Sequence, residues 1–293
     1  MTTMTMPDYT LGCQLPVQDW VHLNRVGAFS DPELRRYVSP FPPPALMQNT
    51  TGLTSESDFA SHGADFWIAL SAAADKPLSQ FSSILDFGGC CGRLARMFKG
   101  HPGRIAGCDI DRRHIDWCSS TLDFMQTKLS SVQPPIPFAD NEFEAVISIS
   151  IFTHLNEANQ DQFLQELARV SQPGGRLFLT AHGQRALDRA LTEPPIRAML
   201  DMRDDLFQAA QAQFKTGHHA FILQHGHLTT VGQPVSTMPP SNKAISDPFE
   251  YGITFIPETY LRNHWSRWFE VLDYRVGAPH DFQDVVVLAP RKP

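Results

Sequence analysis

The chain has no run of about 18 apolar residues, which argues against a membrane-crossing helix. It has no Cys-x-x-Cys pair, and its five cysteines are an odd number, so neither a zinc ribbon nor a disulfide framework is indicated. Its opening, Met1-Thr2-Thr3-Met4-Thr5-Met6, lacks the basic start and apolar core of a signal peptide. Small buried thiols in a reducing compartment are therefore expected, with the cytoplasm as the location. Basic charge is also short. A formal net charge of −7 disfavours a broad nucleic-acid footprint. No internal repeat or low-complexity tract is evident.

What is present suffices for one large α/β core. A chain of 293 residues can bury a full core, roughly 70–75% of its unfolded surface, and one large domain with an elaboration fits better than two independent ones. Residues 1–55 read as irregular and proline-rich, broken at Phe41-Pro42-Pro43-Pro44. They carry Trp20, Val21, Leu23, Val26 and Phe29 as docking residues, and serve as a flap or a clasp. Residues 64–70 look helical. Strands are expected at Ser83–Phe87, Arg104–Cys108, Glu144–Ser150 and Arg176–Thr180. Helices are expected at Arg93–Phe98, Arg112–Leu129 and Asn159–Val170. Strand and helix alternate, as in a parallel sheet covered on both faces. After His182 the rhythm changes. A helical stretch over Ile196–Phe214 and an irregular region to Met238-Pro239-Pro240 read as an inserted cap. The core resumes with Ile253–Phe255 and a helix over Pro257–Ser266, and ends in a hairpin of Phe269–Tyr274 and Gln283–Ala289. The divisions are 1–63 (N-terminal extension or lid), 64–183 (α/β core), 184–250 (cap) and 251–293 (end of the core).

The densest chemistry lies in Leu85-Asp86-Phe87-Gly88-Gly89-Cys90-Cys91-Gly92-Arg93. Gly88, Gly89 and Gly92 allow a tight turn and close approach to a ligand. Asp86 sits at a strand end, and a following helix would offer free N–H groups. Asp109 ends the next strand, where a carboxylate can accept from two ribose hydroxyls. Ile110 would cover one face of an adenine, and Asp111 would cap the next helix. The dinucleotide spacing Gly-x-Gly-x-x-Gly is absent.

This order resembles the class I S-adenosylmethionine-dependent methyltransferase family, of small-molecule type. The resemblance continues through Ile136–Glu144, Ser148–Leu155 and Leu167–Leu179 with Pro173-Gly174-Gly175. It implies a doubly wound, seven-stranded, mostly parallel sheet of the Rossmann-like methyltransferase fold, with an inserted, partly helical cap and an N-terminal extension. It implies S-adenosylmethionine as cofactor, with S-adenosylhomocysteine as product. Asp86, Phe87, Gly88, Gly89, Gly92 and Arg93 would hold the methionine end, Asp109 and Ile110 the nucleoside, and Ser150 and Ile151 the region beside the sulfonium. Two departures stand out. Cys90 fills a place more often glycine, and the acid usually found at the adenine edge is missing, with Gln133 or a backbone group as the substitute.

Methyl transfer needs alignment first, and a base only for a hydroxyl or a protonated amine. Candidate bases are His154, His182, His218, His219, His225, His227, Glu258 and His280, with His182, His154 and His280 preferred. His218-His219 and His225-x-His227 lack the cysteines or acids of a metal centre, and no metal is expected. Tyr251-Gly252-Ile253-Thr254-Phe255 and Pro279–Asp284 would line the acceptor side. The cap favours a small enclosed acceptor over nucleic acid or a membrane, and leaves monomer and homodimer both open. The expected reaction is methyl transfer to a hydroxyl or amine of a small metabolite, as in secondary metabolism. The competing readings are cyclisation or aminoalkyl transfer from the same cofactor, and a non-catalytic adenosyl-binding partner subunit.

Overall fold

A computed structural model describes residues 7–89, 91–224, 228–230 and 242–291. Its frame is a seven-stranded sheet whose strands are β1 (Ser83–Phe87), β2 (Arg104–Asp109), β3 (Met125–Leu129), β4 (Phe143–Ser148), β5 (Ser171–Ala181) and two late strands. Between β5 and those late strands come β6 (Ala220–Leu223), β7 (Leu228–Thr230), β8 (Lys243–Ile245) and β9 (Gly252–Phe255). The late strands are β10 (Phe269–Arg275) and β11 (Asp284–Pro290). The sheet order is β10-β11-β5-β4-β1-β2-β3. The strands from β5 to β3 run parallel, while β11 is antiparallel to both β5 and β10.

The sheet is buried on both faces, so its central strands carry near-continuous apolar runs. Adjacent residues of β1 serve opposite faces, as the pleat requires. Ile84 joins Ile105, Ile147 and Val285 in one core, and Leu85 joins Val146, Leu179 and Val286 in the other. The first core is covered by α1 (Val17–His22), α2 (Ala28–Ser30), α3 (Pro32–Arg35) and, after α4 (Pro44–Thr51), which packs through Met47 on Phe59 and Cys91, by α5 (Glu56–Ala73), in part through Trp20, Ala28, Trp67 and Leu70. Ser55 starts α5 by accepting from the Asp58 amide, with Glu56 and Asp58 in the first turn. After α6 (Arg112–Thr121), the helix α7 (Glu157–Val170) covers the second core with Phe163, Leu164, Leu167 and Val170, capped by Asn156. The chain after β5 forms α8 (Gln184–Thr192), α9 (Pro194–Met199) and α10 (Asp204–Lys215), and α11 (Glu258–Trp265) follows β9. None of the described helices is long and apolar enough to cross a membrane.

Several sequence expectations change. Residues 9–51 are a string of short helices, not irregular chain. They are stitched to the segment after the glycine loop: Trp20 Nε1 donates to Met97 O at 2.9 Å and Ser39 Oγ to Arg96 O at 2.9 Å. Of the docking residues, Trp20, Val21 and Leu23 are buried, but Val26 and Phe29 stay exposed. The helix expected over Arg93–Phe98 shrinks to a four-residue 3₁₀ turn, Ala95–Phe98. The one expected over Arg112–Leu129 stops at Thr121, because Leu122 leaves helical geometry and the next residues pair with β2 as β3. The stretch Ile196–Phe214 breaks into α9 and α10. Ile253–Phe255 does not enter the large sheet; β9 pairs with β6 in a separate two-stranded ladder. Helix α5 runs through the division drawn at 63/64, and the β6–β9 ladder spans that at 250/251.

The hairpin end depends on one tight corner. Asp284, buried at the start of β11, accepts from Tyr274 Oη at 2.5 Å and from the Gly277 amide at 2.7 Å. A Cβ at Gly183 would fall on that carboxylate and that hydroxyl. Gly183→Ala is therefore expected to destabilise the protein by about 1–3 kcal/mol, the usual cost of overpacking. Urea unfolding of the two proteins checks this; equal midpoints would refute it.

Candidate active site

The carboxyl ends of β1, β2, β3 and β4 meet at one cleft with an empty volume of about 860 Å³, its open mouth included. Its floor is Phe87 and Gly88 after β1, Cys108, Asp109 and Ile110 at β2, Ser130–Val132 after β3, and Ile149–Ile151 after β4. Such a crevice beyond the strand ends is where open α/β sheets bind ligands.

The glycine loop earns its glycines at two positions. Gly88 has φ +71° and its amide donates to Cys108 O at 2.9 Å; a Cβ there would strike the side chain of Ile151. Gly92 has φ +76°, and a Cβ would meet Leu122. Cys90 lies outside the described residues. Arg93 lines the cleft and is buried, its guanidinium 4.7 Å from the Phe66 ring centre.

Two buried carboxylates beside the loop are shifted in opposite directions. Asp86 lies beneath Gly89, and its Oδ2 has no hydrogen-bond partner among the described residues. Burial pushes its carboxyl up to about 7; nearby Asp109 adds to this, while Arg93 and the Ala95 amide oppose it. Asp109 lines the cleft. Burial also works against its charge, but His114, Lys243 and the Asp111 amide outweigh it and hold the carboxyl below its ordinary range. His114 Nδ1 is 3.6 Å from Asp109 Oδ1, and the Asp111 amide donates to that oxygen at 2.8 Å. Asp111 caps α6, accepting from the Arg113 amide at 3.0 Å.

After β4 the backbone takes an uncommon form. Ser150 has φ +60° without being glycine; its amide donates to Thr180 Oγ1 at 2.8 Å, and its hydroxyl pairs with Gln283. Four residues on, His154 lines the cleft. Its Nδ1 sits 2.8 Å from the Gly252 carbonyl oxygen, which can only accept, so that nitrogen carries the proton. In the neutral ring the lone pair is then on Nε2. The ring stacks on Tyr251, centres 4.6 Å apart and planes 13° apart.

The other two preferred bases do not line the cleft. His182 is 2% exposed and packed between Phe282 and Phe255. Burial, helped by His154 nearby, pushes it down to about 3, against a hydrogen bond with the Thr254 backbone. His280 pairs with Asp65 at 3.0 Å and stacks on His62. Burial, then Arg93 and Arg25, lower it. His218 and Glu258 are engaged with Thr216 and Arg262, and His219 is pushed down to about 4 by burial. His225 and His227 lie outside the described residues. Among the described residues no group of three or more His, Cys, Asp or Glu is disposed to hold a metal ion. Gln133 is exposed, and its neighbour Val132 lines the cleft instead.

Sequence reasoning missed Asn49, Thr50, Lys243, Phe249 and His114. The first four line the cleft from segments outside the sheet, and no periodicity or motif marks them. His114 carried a signal: it lies in the first turn of the helix that Asp111 caps, one turn from Asp109.

Known proteins show the same plan. The sequence family described as "Methyltransferase domain" matches residues 85–179. The chain is 31% identical over 137 residues to a fatty-acid O-methyltransferase of Mycolicibacterium smegmatis, covering 44% of this chain and 47% of the relative. It is 31% identical over 110 residues to the ubiquinone/menaquinone biosynthesis C-methyltransferase UbiE of Hahella chejuensis, covering 33% of this chain and 42% of the relative. The matched stretch thus spans less than half the length of these relatives. In fold, the 1,6-didemethyltoxoflavin-N1-methyltransferase of Burkholderia thailandensis, solved with 1,6-didemethyltoxoflavin and S-adenosylhomocysteine, superposes with a TM-score of 0.51 at 14% identity, covering 87% of this chain and 93% of that one. The PH0226 protein of Pyrococcus horikoshii gives 0.50 at 15% identity, covering 76% and 89%. Residues 85–179 thus match a methyltransferase domain, set in a fold that superposes on those of known methyltransferases.

Proposed function

We propose that this protein transfers a methyl group from S-adenosylmethionine to a hydroxyl or amine of a small molecule, with His154 as the base. One observation carries the reading: the glycine turn, the Asp109 carboxylate and the His154 ring line a single cleft. The cleft suits the cofactor on its own chemistry. Asp86 holds a buried carboxylate oxygen with no hydrogen-bond partner among the described residues, one that an ammonium group could pair with, and Gly89 without a Cβ leaves that carboxylate uncovered on its side. Asp109, kept ionised, accepts from ribose hydroxyls. Ile110 and Val132 give the base apolar contact.

When bound, S-adenosylmethionine supplies a methyl group already activated on a sulfonium. The chain's own work is to align and to remove a proton. Phe249, Tyr251 and Leu155 form an apolar wall that orients the acceptor and excludes water beside His154. The Gly252 carbonyl fixes the His154 tautomer, so Nε2 takes the acceptor's proton and the imidazolium then donates from Nδ1 to the same carbonyl. His182, buried between Phe255 and Phe282 and held neutral, takes no part in the proton transfer. The fatty-acid and quinone relatives act on small acceptors, and this reading extends that class to the present chain. We place the protein in the cytoplasm, with residues 184–250 as a cap over the core and no nucleic-acid partner.

The two roles separate on substitution. Asp109→Ala is expected to weaken S-adenosylhomocysteine binding by tenfold or more in calorimetry, with the fold retained. His154→Ala is expected to lower kcat about a hundredfold or more while leaving that affinity within about threefold. Full turnover in His154→Ala would remove it as the base. A pH dependence follows from Asp86. With its carboxyl near 7, it is mostly neutral at pH 6 and ionised at pH 8, and only the ionised form holds the cofactor's ammonium. Affinity should therefore fall as pH drops through 7, and Asp86→Asn should bind more weakly with the slope abolished. A wild-type affinity flat from pH 6 to 8 would contradict the assignment.

A further inference from the structure

Strand β11 is antiparallel to β5, so it begins at the edge of the sheet where β4 and β5 end. Its first residue, Asp284, pairs with Ala181, the last of β5. The residue before it, Gln283, therefore arrives beside the cleft without lining it. There it meets Ser150, which does line it. Ser150 Oγ lies 2.9 Å from Gln283 Nε2 and 3.2 Å from Gln283 Oε1, so one hydroxyl can accept from the first and donate to the second. The Ser150 amide is held separately, donating to Thr180 Oγ1 at 2.8 Å.

Backbone strain collects around this contact. Five non-glycine residues have positive φ among the described residues, and three of them are Ser150, His280 and Asp281. A left-handed backbone is costly for a residue with a Cβ. It persists where the surroundings over-determine it, and such places cluster at functional sites. The turn before β11 is held in this way. Arg189 Nη1 donates to the carbonyl oxygens of His280 and Asp281 at 2.9 and 3.0 Å, and Arg185 Nε donates to Asp281 Oδ1 at 2.8 Å. His280 Nε2 lies 3.0 Å from Asp65 Oδ2 on α5. The turn that delivers Gln283 is thus braced by α8 and α5. The Asp284 corner already closes the hairpin, so these further ties serve to fix where the turn, and Gln283 with it, lies.

We infer that Gln283 is a positioning residue of the cleft, acting through Ser150. Its carboxamide holds the left-handed turn after β4, and that turn sets Ile151 against Gly88 at the cleft floor. The inference rests on the reading that the cleft takes S-adenosylmethionine and its product. Without this partner, Ser150 relaxes toward the ordinary extended or right-handed backbone, and Ile151 leaves its place. The cleft is then formed only part of the time, and apparent affinity falls by that fraction.

Calorimetric titration of the full-length protein with S-adenosylhomocysteine tests this. Gln283→Ala is expected to weaken binding roughly five- to tenfold, the scale of one lost hydrogen bond. The decisive pair is Ser150→Ala and Ser150→Gly. Both remove the hydroxyl, but only glycine takes the left-handed backbone freely. Ser150→Ala is expected to bind about tenfold more weakly than wild type, and Ser150→Gly to recover most of that loss. In the Ser150→Gly background, Gln283→Ala should change affinity less than about twofold, since the two act as one unit. Equal losses in Ser150→Ala and Ser150→Gly would show that the turn's geometry is not what Gln283 holds, and would overturn the inference. Wild-type affinity in Gln283→Ala would overturn it too. Thermal unfolding of each variant separates loss of the cleft from loss of the fold, and the Ser150 pair keeps the test open should Gln283→Ala fold poorly. Wild-type protein that fails to bind the probe would instead remove the cofactor reading itself.

Discussion

The left-handed turn at Gly88 is the constraint on which the cleft depends. Its amide bonds to Cys108 at the end of β2, and its missing Cβ lets Ile151, beyond β4, press against it. Three strand ends from separate parts of the chain are thereby brought within van der Waals contact at one point. A side chain there would have to displace Ile151 and, with it, the strained Ser150 that Thr180 and Gln283 hold in place. The strain at Ser150 is paid for by those two polar contacts, and it turns the chain so that His154 reaches the cleft.

Electrostatics at the cleft and beneath the glycine loop follow from the partners of each carboxylate. Asp86 and Asp109 are both buried, and burial alone would raise both. Asp109 is offset by an imidazole, an ammonium and an amide, so it is charged and ready to accept. Asp86 has only the Arg93 guanidinium and the Ala95 amide to offset burial and the neighbouring Asp109, and they do not suffice, so its carboxyl stays raised. The same fold thus carries one buried carboxylate held ionised and one pushed up to about 7. The contrast arises from neighbours on α6 and β8, not from the strand ends that carry the two residues.

The sheet, the glycine turn and the place of Asp109 at the cleft were legible because they are local. Five-residue apolar strands, glycines at a turn, and an acid at a strand end each announce themselves within a few positions. Asp111 was legible as a cap for the same reason. β3 was not: Met125-Gln126-Thr127-Lys128-Leu129 is a short edge strand with little apolar character, and only pairing with β2 defines it. The helices of residues 9–51 are three to eight residues long and are held by tertiary contacts such as Trp20 to Met97, so helix period could not reveal them. Asn49 and Lys243 are further still from legibility, since each acquires its place only by meeting a segment some 190 residues away.

His182 and His154 show why a motif's position does not decide its chemistry. Both follow strands at the carboxyl edge, and His182 looked the better base by that rule. The short strand β9 separates them. It runs alongside the loop after β4, with the Gly252 amide bonded to His154 O and the Thr254 amide to Thr153 O, and then closes over β5 through the Ile256 amide to His182 O. Its Gly252 carbonyl orients the first ring, and its Phe255 side chain helps to bury the second. One strand outside the main sheet therefore leaves one histidine facing the cleft with a fixed tautomer and seals the other into the packing behind it. A sequence rule built on the main sheet has no term for that strand, and this is why the choice between the two histidines needed the fold.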